Sequence, residues 1–259
     1  MLTAAAAADP APGARALYLA GGGKKRVSCT DEALVVSNDR KQTYRYPLAR
    51  VARVVSSTAV DWSGEAVALC LRRGVGIAWM DGRGEPLGVT YPQARDNTSF
   101  ATALELMVES PEGEQRYRHW QRARRLDLLV RWANAQPGSF SPRQWEAAKR
   151  EWVYAASYTI HLPAALRAQC LAYVAAQLVR HGQSSPVLWG PQAQRIDLDE
   201  DLCELLWAEM NLCAGSLADS AAGDRCTTAL FERWNARNAG ALVGHLHSLH
   251  RIAMKALAA

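Results

Sequence analysis

Five carboxylates fall within eight positions of the stretch "IDLDEDLCELLW": Asp197, Asp199, Glu200, Asp201 and Glu204. Converging carboxylate oxygens can hold a hard cation such as Mg2+ or Mn2+, and manganese also accepts imidazole. An ion held so can activate a hydroxyl or a water and offset charge on a phosphate. At 100° per residue, Asp197, Asp201 and Glu204 share a narrow stripe of one helix. Leu198, Leu202, Leu205 and Leu206 lie on the flank that should face a core. The same acids have a plainer use, because Asp and Glu in a first turn offset the positive end of any helix. Spacing alone leaves both uses open. Acids this close also repel, so one should titrate high unless a cation intervenes; Arg195, in the preceding turn, is near enough in sequence to do so.

A second group is basic. "QRYRHWQRARRLDLLVRW" carries Arg116, Arg118, Arg122, Arg124, Arg125 and Arg131. Arg118, Arg122 and Arg125 share one face by their spacing, and guanidinium forks suit phosphate. Tyr117, Trp120 and Trp132 can pack beneath that face or stack bases. His245, His247 and His250 have no carboxylate near them in sequence and read as part of an ordinary amphipathic helix. "GGGKKR" lacks the spacing of a phosphate-binding loop. The six cysteines form no CxxC pair, which argues against zinc and for buried thiols in a reducing cytoplasm.

The chain has 259 residues, 49% of them hydrophobic, and a net charge of +5. That length supports one large core or two smaller ones, and the charge permits an anionic partner without requiring it. No apolar run reaches 18 residues, so no membrane span is expected. Residues 1–15 read as a disordered Ala/Pro tail, with neither the basic start nor the apolar core of a signal peptide.

The elements that must position these groups follow two grammars, which together predict an α+β fold. From 16 to 92 the chain reads as a small β-domain: "ALYLA", "RVSCT", "EALVVS", "QTYRYPL", "VARVVSS" and "VGIAWMD" as strands, with one helix in "SGEAVALCLRRG". Ser63 caps that helix and Gly74 closes it. From 93 to 259 the chain reads as all-α, in six helical stretches. Ser141-Pro142 opens one, Pro163 another, and Gly182 ends that one.

The ordered set "LYL", glycine/basic turn, "ALVV", "YPLARVARVV", a helix ending "RRGVGIAWMD", then "GRGEPLG" resembles the β-sandwich of the CRISPR spacer-acquisition integrase family, Cas one. The resemblance implies a dimerising β-sandwich (16–92) and a helical DNA-binding and catalytic-type domain (93–259). It also implies metal-dependent endonuclease or integrase chemistry on spacer DNA with Mg2+ or Mn2+, double-stranded DNA as partner, a homodimer and a small Cas two type subunit. In "DLCE", Asp201 and Glu204 match the family's "DLxE". Glu146 is the best placed third carboxylate and Glu151 the next. These three, Glu146, Asp201 and Glu204, are the implied metal and catalytic set, and Arg118, Arg122 and Arg125 the implied DNA contacts. Trp189 stands where the family keeps its histidine ligand. An indole cannot ligate a hard cation, so an impaired enzyme is expected. Two other readings are a non-catalytic DNA-binding or scaffold subunit of an adaptation complex, and an unrelated basic helical DNA-binding regulator.

Overall fold

The computed structural model describes residues 14–20, 23–90, 98–155, 158–180, 188, 195–214, 227–238 and 240–257. Two compact units divide the chain: Met1–Asn97 with Leu171–Ser184, and Thr98–Cys170 with Ser185–Ala259. Pro92, the expected boundary, lies outside the described residues, as does Gly182.

The first unit holds two four-stranded sheets. Strands β1 (Arg15–Leu19), β5 (Val51–Ser57), β7 (Ile77–Met80) and β8 (Pro86–Thr90) form one, in the order β1-β5-β7-β8. The other runs β4-β3-β2-β6, from β4 (Thr43–Pro47), β3 (Ala33–Asn38), β2 (Lys25–Cys29) and β6 (Val60–Trp62). Leu17, Leu19, Val27, Leu34, Val36, Val54 and Ile77 meet in one core with Ala66, Leu69 and Cys70 of helix α1 (Gly64–Arg72). Ser63 Oγ accepts the Ala66 amide at 3.2 Å, and Gly74 has φ +75°, so both ends of α1 form as the sequence predicts. Strand β5 is buried along nearly its whole length. Even Arg53 is 5% exposed, its guanidinium 5.2 Å from the centre of the Tyr173 ring.

Two strands escape the sequence pattern. Strand β6 has three residues, too few for a period to register. Strand β8 starts at Pro86 after a tight turn and forms an outer edge of its sheet, where a missing amide is tolerated. The Asp81 carboxylate organises that turn by accepting the Arg83 and Glu85 amides at 2.8 and 2.9 Å, bonds that hold its pKa down.

The second unit is helical: α2 (Thr98–Glu109), α3 (Gly113–Ala135), α4 (Pro142–Lys149), the first part of α5 (Ala164–Arg180), α6 (Leu198–Leu212), α7 (Thr227–Arg237) and α8 (Ala241–Leu257). Two corrections concern helix ends. The helix expected over 141–160 starts with a Ser141/Gln144 capping box but winds into a π turn at Arg150–Tyr154. It stops there, with the Ala155 amide on the Arg150 carbonyl at 2.9 Å. The final helical stretch is two helices, because the chain turns between Arg237 and Ala241, with Asn238 and Gly240 in the break.

Gly113 fixes how α3 leaves α2. A Cβ there would stand 1.7 Å from the Met107 carbonyl oxygen and 2.9 Å from the Val108 Cα. Both are backbone atoms of α2, so no side chain can yield. Gly113→Ala is expected to cost about 2 kcal/mol or more, read as a lower unfolding midpoint. Gly244 sits within α8 with nothing within 4 Å of a built Cβ. Gly244→Ala should raise stability by up to about 1 kcal/mol.

Candidate functional site

Helix α6 begins after Asp197, and its first turn holds Asp199, Glu200 and Asp201. Leu198, Leu202, Leu205 and Leu206 are at most 1% exposed, so the apolar flank packs as its spacing predicts. The carboxylates on the other side do not converge on one point. Asp201 lies against Tyr117 and Gln121 of α3. Burial raises its pKa, and those two neighbours partly offset the rise. Asp199 is pushed up to about 8, first by burial and then by hydrogen bonding to, and the charge of, Asp197. The expected relief from Arg195 does not occur: its Nη1 donates to the Val108 carbonyl at 2.8 Å.

The cation that meets this helix is Arg167, from α5. Its Nε and Nη2 donate to Glu204 Oε1 at 2.9 and 2.7 Å, and Nη2 also reaches Glu200 Oε2 at 2.6 Å. Tyr158 donates its hydroxyl to the second Glu204 oxygen, Oε2, at 3.2 Å. The three ion-paired side chains are each about a third exposed. Tyr158 is held in place by stacking on Trp152, with ring centres 4.6 Å apart. Burial, then Glu204, push its phenol well above the usual range.

The remaining carboxylates named from sequence stand elsewhere. Glu146, exposed on α4, pairs with Lys149 at 2.6 Å. Glu151, on the π turn, accepts the Thr159 hydroxyl at 2.6 Å and its amide at 3.1 Å. Trp189 lies outside the described residues. Among the described residues, no three His, Cys, Asp or Glu side chains are grouped closely enough to hold a metal ion.

The arginines of α3 point in several directions. Arg118 is exposed and pairs with Glu114, and Arg122 is exposed one turn on. Arg125 is half-buried and donates to the Ala155 carbonyl at 3.5 Å. Arg116 pairs with Glu112, Arg124 with Asp127, and Arg131 with Glu209 of α6 at 3.3 Å. The aromatics serve packing: Tyr117 and Trp120 are 1% and 2% exposed, and Trp132 meets Phe140.

Sequence reasoning missed Arg167 and Tyr158. Arg167 did leave a signal, as the lone charge in the apolar run "AALRAQCLAYVAAQL". A charge so placed needs a partner on the facing element. Tyr158 left none, because its reach depends on the π turn.

The family model for CRISPR associated protein Cas1 matches residues 17–117. Among curated proteins no sequence matches the chain. The fold is similar to a CAS1 protein from Thermotoga maritima, with TM-score 0.69 and 9% identity over 93% of this chain and 96% of that one. It is also similar to TtCas1 in a complex with DNA, with TM-score 0.55 and 12% identity over 93% and 91%. A casposase bound to integration product matches at TM-score 0.51 and 14% identity, over 82% and 74%. The sequence match thus spans the β-domain and the start of the helical unit, and over nearly its whole length the chain has the fold of these Cas1 structures.

Proposed function

We propose that the chain is a DNA-binding protein of CRISPR adaptation in which an internal guanidinium, not a divalent cation, neutralises the carboxylate face of α6. The Arg167 fork carries this reading. The family's chemistry implies Mg2+ or Mn2+, which would need Glu146, Asp201 and Glu204 as donors. It does not fit. Both Glu204 oxygens are engaged, one by Arg167 and one by Tyr158. A divalent cation on Glu204 would sit against the Arg167 charge at contact range. Glu146 is paired within its own helix. Asp201, with its raised pKa, is a poorer anion than an ordinary aspartate.

Support for DNA as ligand comes from the relatives, since a TtCas1 structure of the same fold is a DNA complex. The exposed Arg118 and Arg122 supply charge for phosphate, because a surface pair such as Arg118–Glu114 opens at little cost. A homodimer through the β-sandwich, in the cytoplasm, with a small Cas two type subunit belongs to the same proposal. A Cas6-RT-Cas1–Cas2 complex matches at TM-score 0.50 and 14% identity, over 97% of this chain and 35% of that one. No helix among the described residues is long and apolar enough to cross a membrane.

Purified protein should bind duplex DNA with an affinity that falls steeply with salt. Replacing Arg118 and Arg122 together by Ala should weaken binding to all sequences alike and reduce the salt slope by about 2. Calorimetry should show no Mn2+ binding to the wild type, and strand-cleavage assays in Mg2+ or Mn2+ no product. Cleavage that Asp201→Ala abolishes would sink the metal-free reading and leave DNA binding intact. Arg167→Met should destabilise the fold by about 1–2 kcal/mol, the discount from a fully buried pair reflecting partial exposure. Arg167→Lys should recover little, since one ammonium cannot fork two carboxylates.

A further inference from the structure

Two cysteines of the β-domain lie where α1 packs on β2, and the function proposed above uses neither. Cys29 ends strand β2, two residues after Val27, so the alternation of a strand puts both side chains on the same face of the sheet. Val27 is 0% exposed, which makes that face the inner one. Cys29 packs there, half-buried, against the core that contains Cys70 of α1. Two hydrogen bonds fix how α1 lies along this stretch. The Ser63 amide, at the start of the helix, donates to the Val27 carbonyl at 2.9 Å. Arg73, at its end, donates from Nη2 to the Asp31 carbonyl at 3.3 Å. The helix is thus tied to the chain on both sides of Cys29. Cys70, one turn before Arg73 and fully buried, is on the helix face turned to the core.

The two thiols differ in access. Cys29 is reachable by a small oxidant, and Cys70 is closed to solvent. The Cys70 thiol is pushed up to about 12, first by burial and then by Cys29 itself, which marks the two as neighbours. A reachable thiol with a second thiol beside it is the arrangement in which peroxide oxidation ends in a disulfide rather than in a higher oxide. Cys170 and Cys203 of the helical unit also feel each other, but both are fully buried, so an oxidant has no first target there.

We propose that Cys29 and Cys70 are a hydroperoxide-responsive thiol pair that closes to a disulfide. The Cys29 thiolate attacks the hydroperoxide. An S–O bond forms, the O–O bond breaks, and water or an alcohol leaves, so that Cys29 becomes a sulfenic acid. The Cys70 thiol then gives up its proton and attacks the Cys29 sulfur. The S–S bond forms, the S–O bond breaks, and a second water leaves. The thiol pair loses two electrons and the peroxide gains them. Because Cys70 resists deprotonation, the second step is the slow one, and the sulfenic acid lives long enough to be trapped. The bond joins the end of β2 to α1 and closes the segment that carries β3 to β6. It concerns the β-domain alone and is independent of the ligand bound by the helical unit.

The test uses full-length protein treated with hydrogen peroxide, alkylated, digested and mapped by mass spectrometry. A peptide pair joining Cys29 to Cys70 should appear, lighter than the two thiols by two hydrogens, and should vanish on adding dithiothreitol. Dimedone present during oxidation should label Cys29 and suppress the cross-link. Cys29→Ser, a change at a half-buried position, should leave Cys70 as a thiol, because the oxidant does not reach it. Cys70→Ala, its fold checked by circular dichroism, should let Cys29 proceed to the sulfinic acid with no cross-link. Cys213→Ser, in the helical unit, should form the Cys29–Cys70 bond as the wild type does. The proposal is overturned if peroxide leaves both residues as thiols, or if wild-type Cys29 oxidises to the sulfinic acid without joining Cys70. A bond from Cys29 to any other cysteine, or to a second chain, overturns it equally.

Discussion

Two glutamates one turn apart on α6, each about a third exposed, set two like charges side by side on one helix face and call for a cation between them. Arg167 answers that need, and much of the surrounding structure follows. The fork fixes which faces of α5 and α6 meet, since it requires both carboxylates on one side of the guanidinium. Tyr158 then satisfies the remaining Glu204 oxygen. To bring Tyr158 there, the chain leaves α4 through the π turn, stacks Trp152 on Tyr158 and ties Thr159 back to Glu151. Glu151, a ligand candidate by type, thus serves to hold the segment that braces Glu204.

Helix α3 shows the same economy with charge. Its six arginines do not make one stripe. Five are placed by local neighbours: Glu112 and Glu114 one turn back, Asp127 one turn ahead, Glu209 on α6 and the Ala155 carbonyl. The side facing α6 is therefore structural, and the opposite side presents Arg118 and Arg122 to solvent. Spacing predicted the solvent-facing pair but not Arg125, whose inward turn depends on where the π segment ends.

Elements with a strong period were legible in the sequence. Strands β1 to β5, the Ser63 and Ser141 caps and the leucine flank of α6 lie where patterning put them. What escaped lacked a local signature. Strand β6 is too short, β8 begins at a proline, and the break before α8 interrupts a pattern that stays helical on both sides. The carboxylate cluster was visible as a cluster, but the partner of each acid was not. Arg195, nearest in sequence, turns to a backbone carbonyl of α2, while Arg167, over thirty residues away from Glu200 and Glu204, forms the ion pairs. Sequence distance is a poor guide to charge partners wherever helices pack.

A divalent cation and a guanidinium meet the same electrostatic demand by different means. The cation needs several free oxygens aimed at one point, and a missing ligand weakens the whole set. The guanidinium needs only a planar pair of acceptors and carries its charge on the chain, independent of solution conditions. With Arg167 engaged by Glu200 and Glu204, Asp201 packs elsewhere. It can rest against Tyr117 and Gln121 with its pKa raised by burial, as Asp199 does beside Asp197. The first turn of α6 then holds acids in two states: Glu200 and Glu204 in ion pairs, Asp199 inclined to keep its proton. A cation site would favour the ionised form of every ligand. The division of these acids between ion pair and proton is what a helix face looks like when the charge that balances it is built into the fold.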